Sequence, residues 1–342
     1  MRKLASVQKV AALHPIPNAD KIEVAEILGW KVVVEKGKHK EGELIVYCEI
    51  DCILPDRPET YPEFQFLKPK KFRIKTMRLR GQISQGICFP ISILEGKRHH
   101  NLEEGEDVTE TLGILKYIPN IPACLKGIKK GDFPSFIAKT DETRVQVLQD
   151  VLTRYKGMKC YVTEKVDGSS ATYYIKDGQF GVCSRNLELA ETEDNMFWKM
   201  ARKLKLEEKM KTLGKNIAIQ GELIGCGIQK NNLRLDENKV LFFNAFDIDK
   251  YCYCDFEDFV KTIKGLELEP VPFIDLYDLD DNIDNLLEMS KGKSKLNSKA
   301  EREGIVIRPI KETIDFKMAQ GMGNGRLTFK AINTEYLLKY EE

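Results

Sequence analysis

The first hundred residues alternate short apolar clusters with glycine-containing turns, and this pattern restricts the fold more than any other feature of the chain. β-Branched or aromatic clusters occur at residues 32–34, 44–47 and 87–89. Glycine-containing turns separate them at Gly29, Gly37, Gly42 and Gly81. Several short strands at such spacing are typical of a small barrel. We therefore predict a β-barrel domain over residues 1–110.

A short run near the start indicates the kind of barrel. Residues 12–22 contain the pair His14-Pro15 and the triplet Ala19-Asp20-Lys21. This run resembles the opening of OB-type tRNA-binding domains. The likeness supports an OB-like barrel more than it supports tRNA as the ligand.

The rest of the chain has a different pattern of apolar and polar residues. Residues 111–125 contain two closely spaced prolines, which favours an extended linker. Residues 126–342 mix strand-like stretches with an amphipathic segment from Glu191 to Leu213 that ends before Gly214. Apolar residues recur there at helical spacing, at Met196, Met200, Leu204, Leu206 and Met210. This segment is predicted to form one helix, within an α+β domain large enough for its own core.

Charge and cysteine usage exclude several classes of protein. The 54 Lys+Arg and 53 Asp+Glu leave a net charge of +1, and 42% of residues are hydrophobic, which excludes a disordered chain. No apolar stretch reaches about 18 residues, so no membrane span is expected, and no secretory signal is apparent. The nine cysteines are spread singly rather than as a disulfide framework. We expect a reducing, cytoplasmic location, with the nucleus as an alternative.

An acid-free basic window extends from Phe64 to Leu94. Its candidate nucleic-acid contacts are Lys71, Arg73, Lys75, Arg78 and Arg80. In a strand, Lys71, Arg73 and Lys75 would share one face and neutralise successive phosphates. The interleaved aromatic residues Phe64, Phe66 and Phe72 would then stack on bases. The alternative interpretation is a charged edge strand that resists aggregation.

The most informative run is Lys165-Val166-Asp167-Gly168. By itself, Asp-Gly between two apolar strands is a hairpin signal, so the meaning of the run depends on the residue clusters that come after it. These clusters stand in a fixed order, at residues 184–186, 220–223, 246–248, 303–307 and 329–333. Each has a plain structural explanation, such as a solvated strand end or a surface lysine. Their joint order is much harder to obtain by accident.

This ordered series resembles the covalent nucleotidyltransferase superfamily of polynucleotide ligases and mRNA capping enzymes. The Lys-Val-Asp-Gly-Ser-Ser run after an OB-like domain is similar to the ATP-dependent RNA ligases of the Deinococcus/Naegleria type. The resemblance implies an N-terminal OB-like β-barrel followed by a ligase domain of ATP-grasp-like antiparallel sheets plus helices. It also implies a monomeric RNA-repair enzyme that seals 3′-hydroxyl and 5′-phosphate RNA ends. ATP and Mg²⁺ or Mn²⁺ are the implied cofactors.

The resemblance assigns the central roles to lysines and carboxylates. Lys165 would attack the α-phosphate of ATP to form lysyl-AMP, so its pKa must fall through nearby cations or burial. Lys330 would assist it and contact the α-phosphate. The carboxylates of Asp167, Glu222 and Glu303 would hold the metal, directly or through its waters.

The remaining positions implied by the resemblance bind the nucleotide. Arg185 would contact a phosphate or the ribose, and Glu222 is an alternative partner of the ribose hydroxyl. Phe246 would stack on adenine, while the backbone around Glu164 would read the edge of the base.

Two positions depart from the usual motifs. Ser170 stands where DNA ligases and capping enzymes usually have arginine, which favours an RNA ligase. The last motif has Lys330 but Ile332 where a second lysine is common. Either Arg326 or Lys317 supplies the missing charge, or the role is lost. The alternatives are a guanylyltransferase-like or DNA ligase-like enzyme, or an RNA-binding protein with an inactive nucleotidyltransferase domain.

Overall fold

The computed structural model describes residues 3–55, 64, 67–69, 71–96, 102–117, 128–315, 318 and 325–340. The chain divides into two units. Unit 1 comprises Met1–Pro119, Val145–Gln149 and Leu337–Glu342, and unit 2 comprises Asn120–Arg144 and Asp150–Tyr336. Residues 118–125 of the predicted linker lie outside the described residues. Within those residues, no helix is long and apolar enough to cross a bilayer.

Unit 1 consists of short antiparallel strands, in agreement with the alternation of apolar clusters and turns. Its elements are β1 (Ala5–Lys9), β2 (Ala12–Pro15), β3 (Ile22–Ile27), β4 (Trp30–Glu35), β5 (Leu44–Cys48), β6 (Cys52–Ile53), β7 (Thr76–Leu79), β8 (Gln82–Gln85), β9 (Ile87–Pro90), α1 (Thr109–Leu112) and β10 (Leu115–Lys116). The strands pair in the orders β1-β5-β9, β2-β3-β4, β7-β8 and β10-β6. Trp30, Tyr47 and Phe89 are buried in the core. The three apolar clusters lie in β4, β5 and β9, as predicted.

The basic window is not one continuous strand. Lys71 lies in a turn with φ of 52°, and a regular strand begins only at Thr76. Arg73 donates to Asp51 Oδ1 at 3.2 Å, and its guanidinium carbon lies 3.6 Å from the ring centroid of Tyr117. The prediction of a single basic strand face is therefore wrong, because the turn interrupts the side-chain alternation.

The aromatic residues of the window contribute to the core of unit 1. Phe72 is 4% exposed, and Phe64 packs edge-on against Phe89 with ring centroids 5.1 Å apart. Stacking on a base requires an exposed ring face, so the predicted stacking role is wrong for Phe72 and lacks support for Phe64. Phe66 lies outside the described residues. The exposed candidate cations are Lys71, Arg78 and Arg80.

Unit 2 contains two sheets, and two of its helices extend into the residue ranges of unit 1, at Gln149 and at Leu337–Tyr340. In chain order, the elements are β11 (Lys129–Asp132), β12 (Thr143–Arg144), α2 (Gln149–Arg154), β13 (Lys159–Lys165), β14 (Ser169–Lys176), β15 (Gln179–Cys183), β16 (Leu187–Leu189), α3 (Met196–Lys203), α4 (Leu206–Lys211), β17 (Ile217–Ile224), β18 (Lys239–Asp247), β19 (Cys252–Tyr253), α5 (Phe256–Gly265), β20 (Phe273–Asp278), α6 (Ile283–Ser290), β21 (Gly304–Pro309), β22 (Phe329–Ile332) and α7 (Thr334–Tyr340). The seven-stranded sheet has the order β11-β16-β15-β14-β17-β18-β19, and the five-stranded sheet has the order β12-β22-β21-β13-β20. All pairs are antiparallel except β12 with β22.

Helices cover one face of the seven-stranded sheet. Phe197 of α3, Met210 of α4 and Phe259 of α5 share a core cluster with Ile219 and Leu223 of β17. Because side chains alternate along a strand, Gln220 and Glu222 of β17 point to the opposite face. That face is the one on which the candidate site lies.

The segment from Glu191 to Leu213 forms two helices, so the prediction of one continuous helix is wrong. Asn195 caps α3, where its side chain accepts a hydrogen bond from the Phe197 backbone N–H at 2.9 Å. Between α3 and α4, Lys205 has a left-handed backbone with φ of 52°. This conformation ends the first helix and lets both short helices turn their apolar residues to the sheet.

Candidate active site

The Lys165-Val166-Asp167-Gly168 run connects the two sheets of unit 2. β13 ends at Lys165 in the five-stranded sheet, and β14 begins at Ser169 in the seven-stranded sheet. The run is therefore a crossing between sheets and not a hairpin. A Cβ added to Gly168 would lie 2.3 Å from the carbonyl oxygen of Leu223. Only glycine permits this close approach, which holds Asp167 beside β17.

Strand register brings the other motif residues to the same place. Lys165 pairs with Gly304, which puts Glu303 at the adjoining end of β21. Lys330 of β22 pairs with β21 two residues further along, at Val306. The Nζ atom of Lys165 lies 2.6 Å from Glu303 Oε1. Residues separated by more than 130 positions in the sequence thus form one ion pair.

β17 contributes Glu222 to this group from the second sheet. Glu222 pairs with Ser170, just after the crossing segment, on the face opposite to the helices. Burial raises the pKa of Glu222 to about 8, and the neighbouring Glu303 and Asp167 add to the increase while Lys165 opposes it. Burial likewise raises the pKa of Glu303. The site therefore places three carboxyl groups around one lysine, and its burial favours the protonated form of Glu222 at neutral pH.

The pKa of Lys165 is raised and not lowered by the protein. Burial is the largest influence and lowers it, but Glu303, Glu222 and Asp167 together raise it further. The expectation that the surroundings lower this pKa is therefore wrong for the protein's own groups. A cation bound to the carboxylates would remove the influence that keeps the ammonium charged.

The donor set fits a hard divalent cation held through water. Glu303 Oε2 is buried and has no hydrogen-bond partner among the described residues, and carboxylate oxygens are the ligands that Mg²⁺ prefers. However, no three His, Cys, Asp or Glu side chains within the described ranges are placed to hold one metal ion directly. Both predicted modes, direct coordination by Asp167, Glu222 and Glu303 and coordination through water, stay predictions, and this arrangement favours the second.

Lys330 has a cationic neighbour that the sequence did not reveal. The pKa of Lys330 is lowered to about 8 by burial, with further lowering by Lys165 and Arg144. Arg144 lies opposite Lys330 in the parallel β12–β22 pair. The pairing joins strands almost two hundred residues apart, so no local sequence signal could identify it.

Arg326 does not fill the place of the missing second lysine. Its guanidinium forms an ion pair with Glu312, donates to Asn244 Oδ1 at 3.1 Å and lies 3.6 Å from the ring centroid of Tyr253. The guanidinium of Arg326 is therefore engaged by Glu312, Asn244 and Tyr253. The other candidate, Lys317, lies outside the described residues.

The aromatic residue predicted to stack on adenine is inside the core. Phe246 is 1% exposed and makes edge contacts with Tyr251 and Tyr253. On the same strand, Phe243 is only partly buried and packs against the cluster that contains Val166, directly after Lys165. Burial of Phe246 thus contradicts its predicted role, and the β-bulge of the β17–β18 pair explains why strand alternation did not indicate Phe243.

The remaining predicted nucleotide contacts have partners within unit 2. The backbone N–H of Glu164 donates to the Pro272 carbonyl at 2.8 Å, and its carboxylate accepts from Ser294 Oγ and the Lys295 N–H. The backbone amide of Glu164 is therefore occupied by a hydrogen bond to Pro272. It does not face a base, contrary to the prediction. Arg185 is exposed and lies 3.4 Å from Asp141 Oδ1, so it can exchange this partner for a ligand.

Comparison with known proteins agrees with this geometry. The family model described as RNA ligase matches residues 158–332, and a model described as an OB-fold domain matches residues 4–91. The chain belongs to the RNA ligase family. The alternatives of a capping enzyme or a DNA ligase are thereby set aside, and the α+β fold with an N-terminal OB-fold domain is confirmed.

Solved structures similar to this RNA ligase come from Naegleria gruberi. RNA ligase with PPi is 37% identical, has a TM-score of 0.88 and matches over 100% of this chain and 99% of that chain. A mutant with AMP and Mn has a TM-score of 0.89 at 37% identity, with 99% of each chain covered. Another mutant, with ATP and Mn, has a TM-score of 0.89 at 37% identity, with 100% of each covered. A search of curated proteins gave no match.

Proposed function

We propose that this ATP-dependent RNA ligase joins 3′-hydroxyl and 5′-phosphate RNA ends through lysyl-AMP on Lys165 and an adenylylated 5′ end. The observation that carries the proposal is the 2.6 Å ion pair between Lys165 and Glu303, with Glu222 and Asp167 close enough to shift the same lysine's pKa. A lysine surrounded in this way is fixed in place for in-line attack on a phosphate.

Several side chains of the protein contribute to the first step, the formation of lysyl-AMP. Lys165 provides the nucleophilic nitrogen once its ammonium group has released a proton to solvent, and the second proton on the nitrogen follows as the N–P bond forms. The bond from the α-phosphorus to the bridging oxygen breaks at the same time, and pyrophosphate leaves. Asp167, Glu222 and Glu303 would hold a divalent cation through its waters, and this cation would supply charge stabilisation at the α-phosphate. Lys330 contacts the α-phosphate oxygens, and Arg144 adds positive charge beside it.

The nucleotide contacts involve side chains that are at least partly accessible to solvent. Adenine stacks on Phe243, the partly buried aromatic residue beside Val166. Arg185 leaves Asp141 to contact a phosphate or the ribose. In the later steps AMP passes from Lys165 to the RNA 5′-phosphate, and the 3′-hydroxyl then displaces AMP to form the phosphodiester bond.

Unit 1 supplies part of the RNA contact in this proposal. Lys71, Arg78 and Arg80 are exposed cations that can neutralise phosphates, with Lys75 half-buried beside them. Arg73 acts through Asp51 and Tyr117 to hold the unit together.

We also propose a setting for the enzyme. It works in RNA repair in the reducing cytoplasm, which the free thiols of all eight described cysteines support. It acts as a monomer, since one chain carries every residue of the proposed site.

Labelling with α-³²P nucleotides tests the proposal. The protein is incubated with labelled ATP or GTP and Mg²⁺ or Mn²⁺, and the label that stays on the denatured protein in gel electrophoresis is measured. We expect label from ATP that is absent in Lys165→Ala and present in Lys159→Ala, a lysine at the other end of β13. Label from GTP alone, or label that persists in Lys165→Ala, would contradict the proposal.

A further inference from the structure

Two residues outside the recognised motifs hold the carboxylate of Asp167. The Tyr336 hydroxyl donates to Asp167 Oδ2 at 2.6 Å, and the Asn232 side-chain amide donates to the same oxygen at 2.9 Å. Asn232 Nδ2 also lies 2.9 Å from the Tyr336 hydroxyl oxygen, which closes a triangle. Tyr336 comes from α7, and Asn232 comes from the segment between β17 and β18.

The two hydrogen bonds fix the orientation of this carboxylate. Both bonds go to Oδ2, so rotation about the Cβ–Cγ bond would break them together. The backbone on the other side is fixed as well, because Gly168 packs against the Leu223 carbonyl. Tyr336 is 5% exposed, which shields these charge-assisted hydrogen bonds from water.

The oriented carboxylate faces the charged centre of the site. Asp167 is close enough to raise the pKa values of Lys165, Glu222 and Glu303. A carboxylate with one oxygen fixed by protein donors presents its other oxygen in a constant direction. Removing a residue that hydrogen-bonds to a metal-binding side chain typically reduces metal affinity or activity about 10–100-fold.

We propose that Tyr336 and Asn232 are positioning residues that hold Asp167 for the hydrated divalent cation that accompanies ATP. The inference rests on the proposed function, since it assumes that Asp167 binds that cation through water. Neither residue touches the reacting atoms, and each acts through Asp167.

Binding of ATP in the presence of Mn²⁺ provides the test, and it does not depend on turnover. In a Lys165→Ala background, which cannot be adenylylated, ATP binding is measured by calorimetry with and without Mn²⁺. We expect Tyr336→Phe and Asn232→Ala to leave metal-free ATP affinity unchanged. The gain in affinity on adding Mn²⁺ should fall about 10-fold or more.

A matched variant separates this role from a general loss of a buried hydroxyl. Tyr173 donates to the Phe197 carbonyl at 3.3 Å on the helix-covered face of the sheet. Tyr173→Phe should therefore leave the Mn²⁺-dependent gain unchanged. If Tyr336→Phe and Tyr173→Phe behave alike, or if Asn232→Ala leaves the gain intact, the inference is overturned.

The active protein gives an independent readout. Tyr336→Phe in the otherwise native chain should raise the Mn²⁺ concentration for half-maximal self-adenylylation about 10–100-fold, with most of the rate restored at saturating Mn²⁺. An unchanged Mn²⁺ dependence contradicts the inference alone. Absence of label on Lys165 in the unmodified protein contradicts the proposed function instead.

Discussion

Lys165 Nζ lies 2.6 Å from Glu303 Oε1, while the other oxygen of Glu303 is buried and has no hydrogen-bond partner among the described residues. The protein thus leaves an anionic acceptor unsatisfied beside its proposed nucleophile. An unsatisfied buried acceptor reduces stability, and we interpret it as the place where the cation and its waters complete the site.

Glu303→Gln should reduce self-adenylylation by a factor of about 10²–10³, because it removes charge aimed at the reacting centre. The control is Glu301→Gln, two residues earlier, whose side chain forms an ion pair with Lys293. Initial rates of label transfer from ATP give the comparison. Equal rates in the two variants would show that Glu303 has no special place in the reaction.

Gly168→Ala should both destabilise the protein and abolish most adenylylation. Its Cβ would lie 2.3 Å from a backbone oxygen that cannot move away easily, and we expect a cost of about 2–4 kcal/mol. Gly265→Ala is the control, because an added Cβ there has no atom within 4 Å. Urea unfolding and labelling measure the two effects. A Gly168→Ala protein with native stability would contradict the close approach.

Lys330→Met should raise stability at pH 7 by about 3 kcal/mol while it impairs adenylylation. Burial lowers the pKa of Lys330 from 10.5 to about 8, so between these values the unfolded chain binds more protons and stability rises with pH. The destabilisation caused by the buried charge of Lys330 is therefore complete below pH 8 and disappears as the pH approaches 10.5.

The stabilisation by Lys330→Met should consequently shrink between pH 7 and pH 10. Melting temperatures of the variant and the parent at both pH values measure it. Lys264→Met, at an exposed position of α5, should show no such dependence. A pH-independent difference for Lys330→Met would mean that lost packing, and not a lost buried charge, causes the change.

Phe243→Ala should raise the KM for ATP about 10-fold and reduce stability less than Phe246→Ala does, since base stacking contributes about 1–3 kcal/mol. Phe246→Ala should instead lower the free energy of unfolding by about 3–5 kcal/mol, because its ring is buried in an aromatic cluster. Kinetics of self-adenylylation and urea unfolding distinguish the two. The reverse pattern would return the stacking role to Phe246.

Charge reversal at Lys71, Arg78 and Arg80 should leave self-adenylylation unchanged and weaken sealing of a nicked RNA duplex. Each lost phosphate contact reduces the salt dependence of RNA binding, so binding at two salt concentrations is the measurement. Arg73→Ala should mainly destabilise unit 1, because it removes the contacts to Asp51 and Tyr117. Unchanged sealing by the triple variant would exclude this surface.

Local patterns predicted the strands well and the breaks between elements less well. The apolar clusters became β4, β5 and β9, whereas periodicity alone merged α3 and α4 because it cannot detect the left-handed backbone at Lys205. The prediction of one strand face for the basic window was wrong for the same reason, because the turn at Lys71 interrupts the alternation of side chains.

By itself, the sequence determined the fold class and the RNA ligase family, and it predicted Lys165 as the nucleophile, because an ordered series of motifs records chemistry that few folds share. Only the tertiary structure decided which groups surround them. The partners Arg144, Asn232 and Tyr336, and the place of Phe243, depend on strand pairing, a β-bulge and hydrogen bonds between segments far apart in the chain. Such contacts arise from packing in three dimensions, and the spacing of residues along the chain does not specify them.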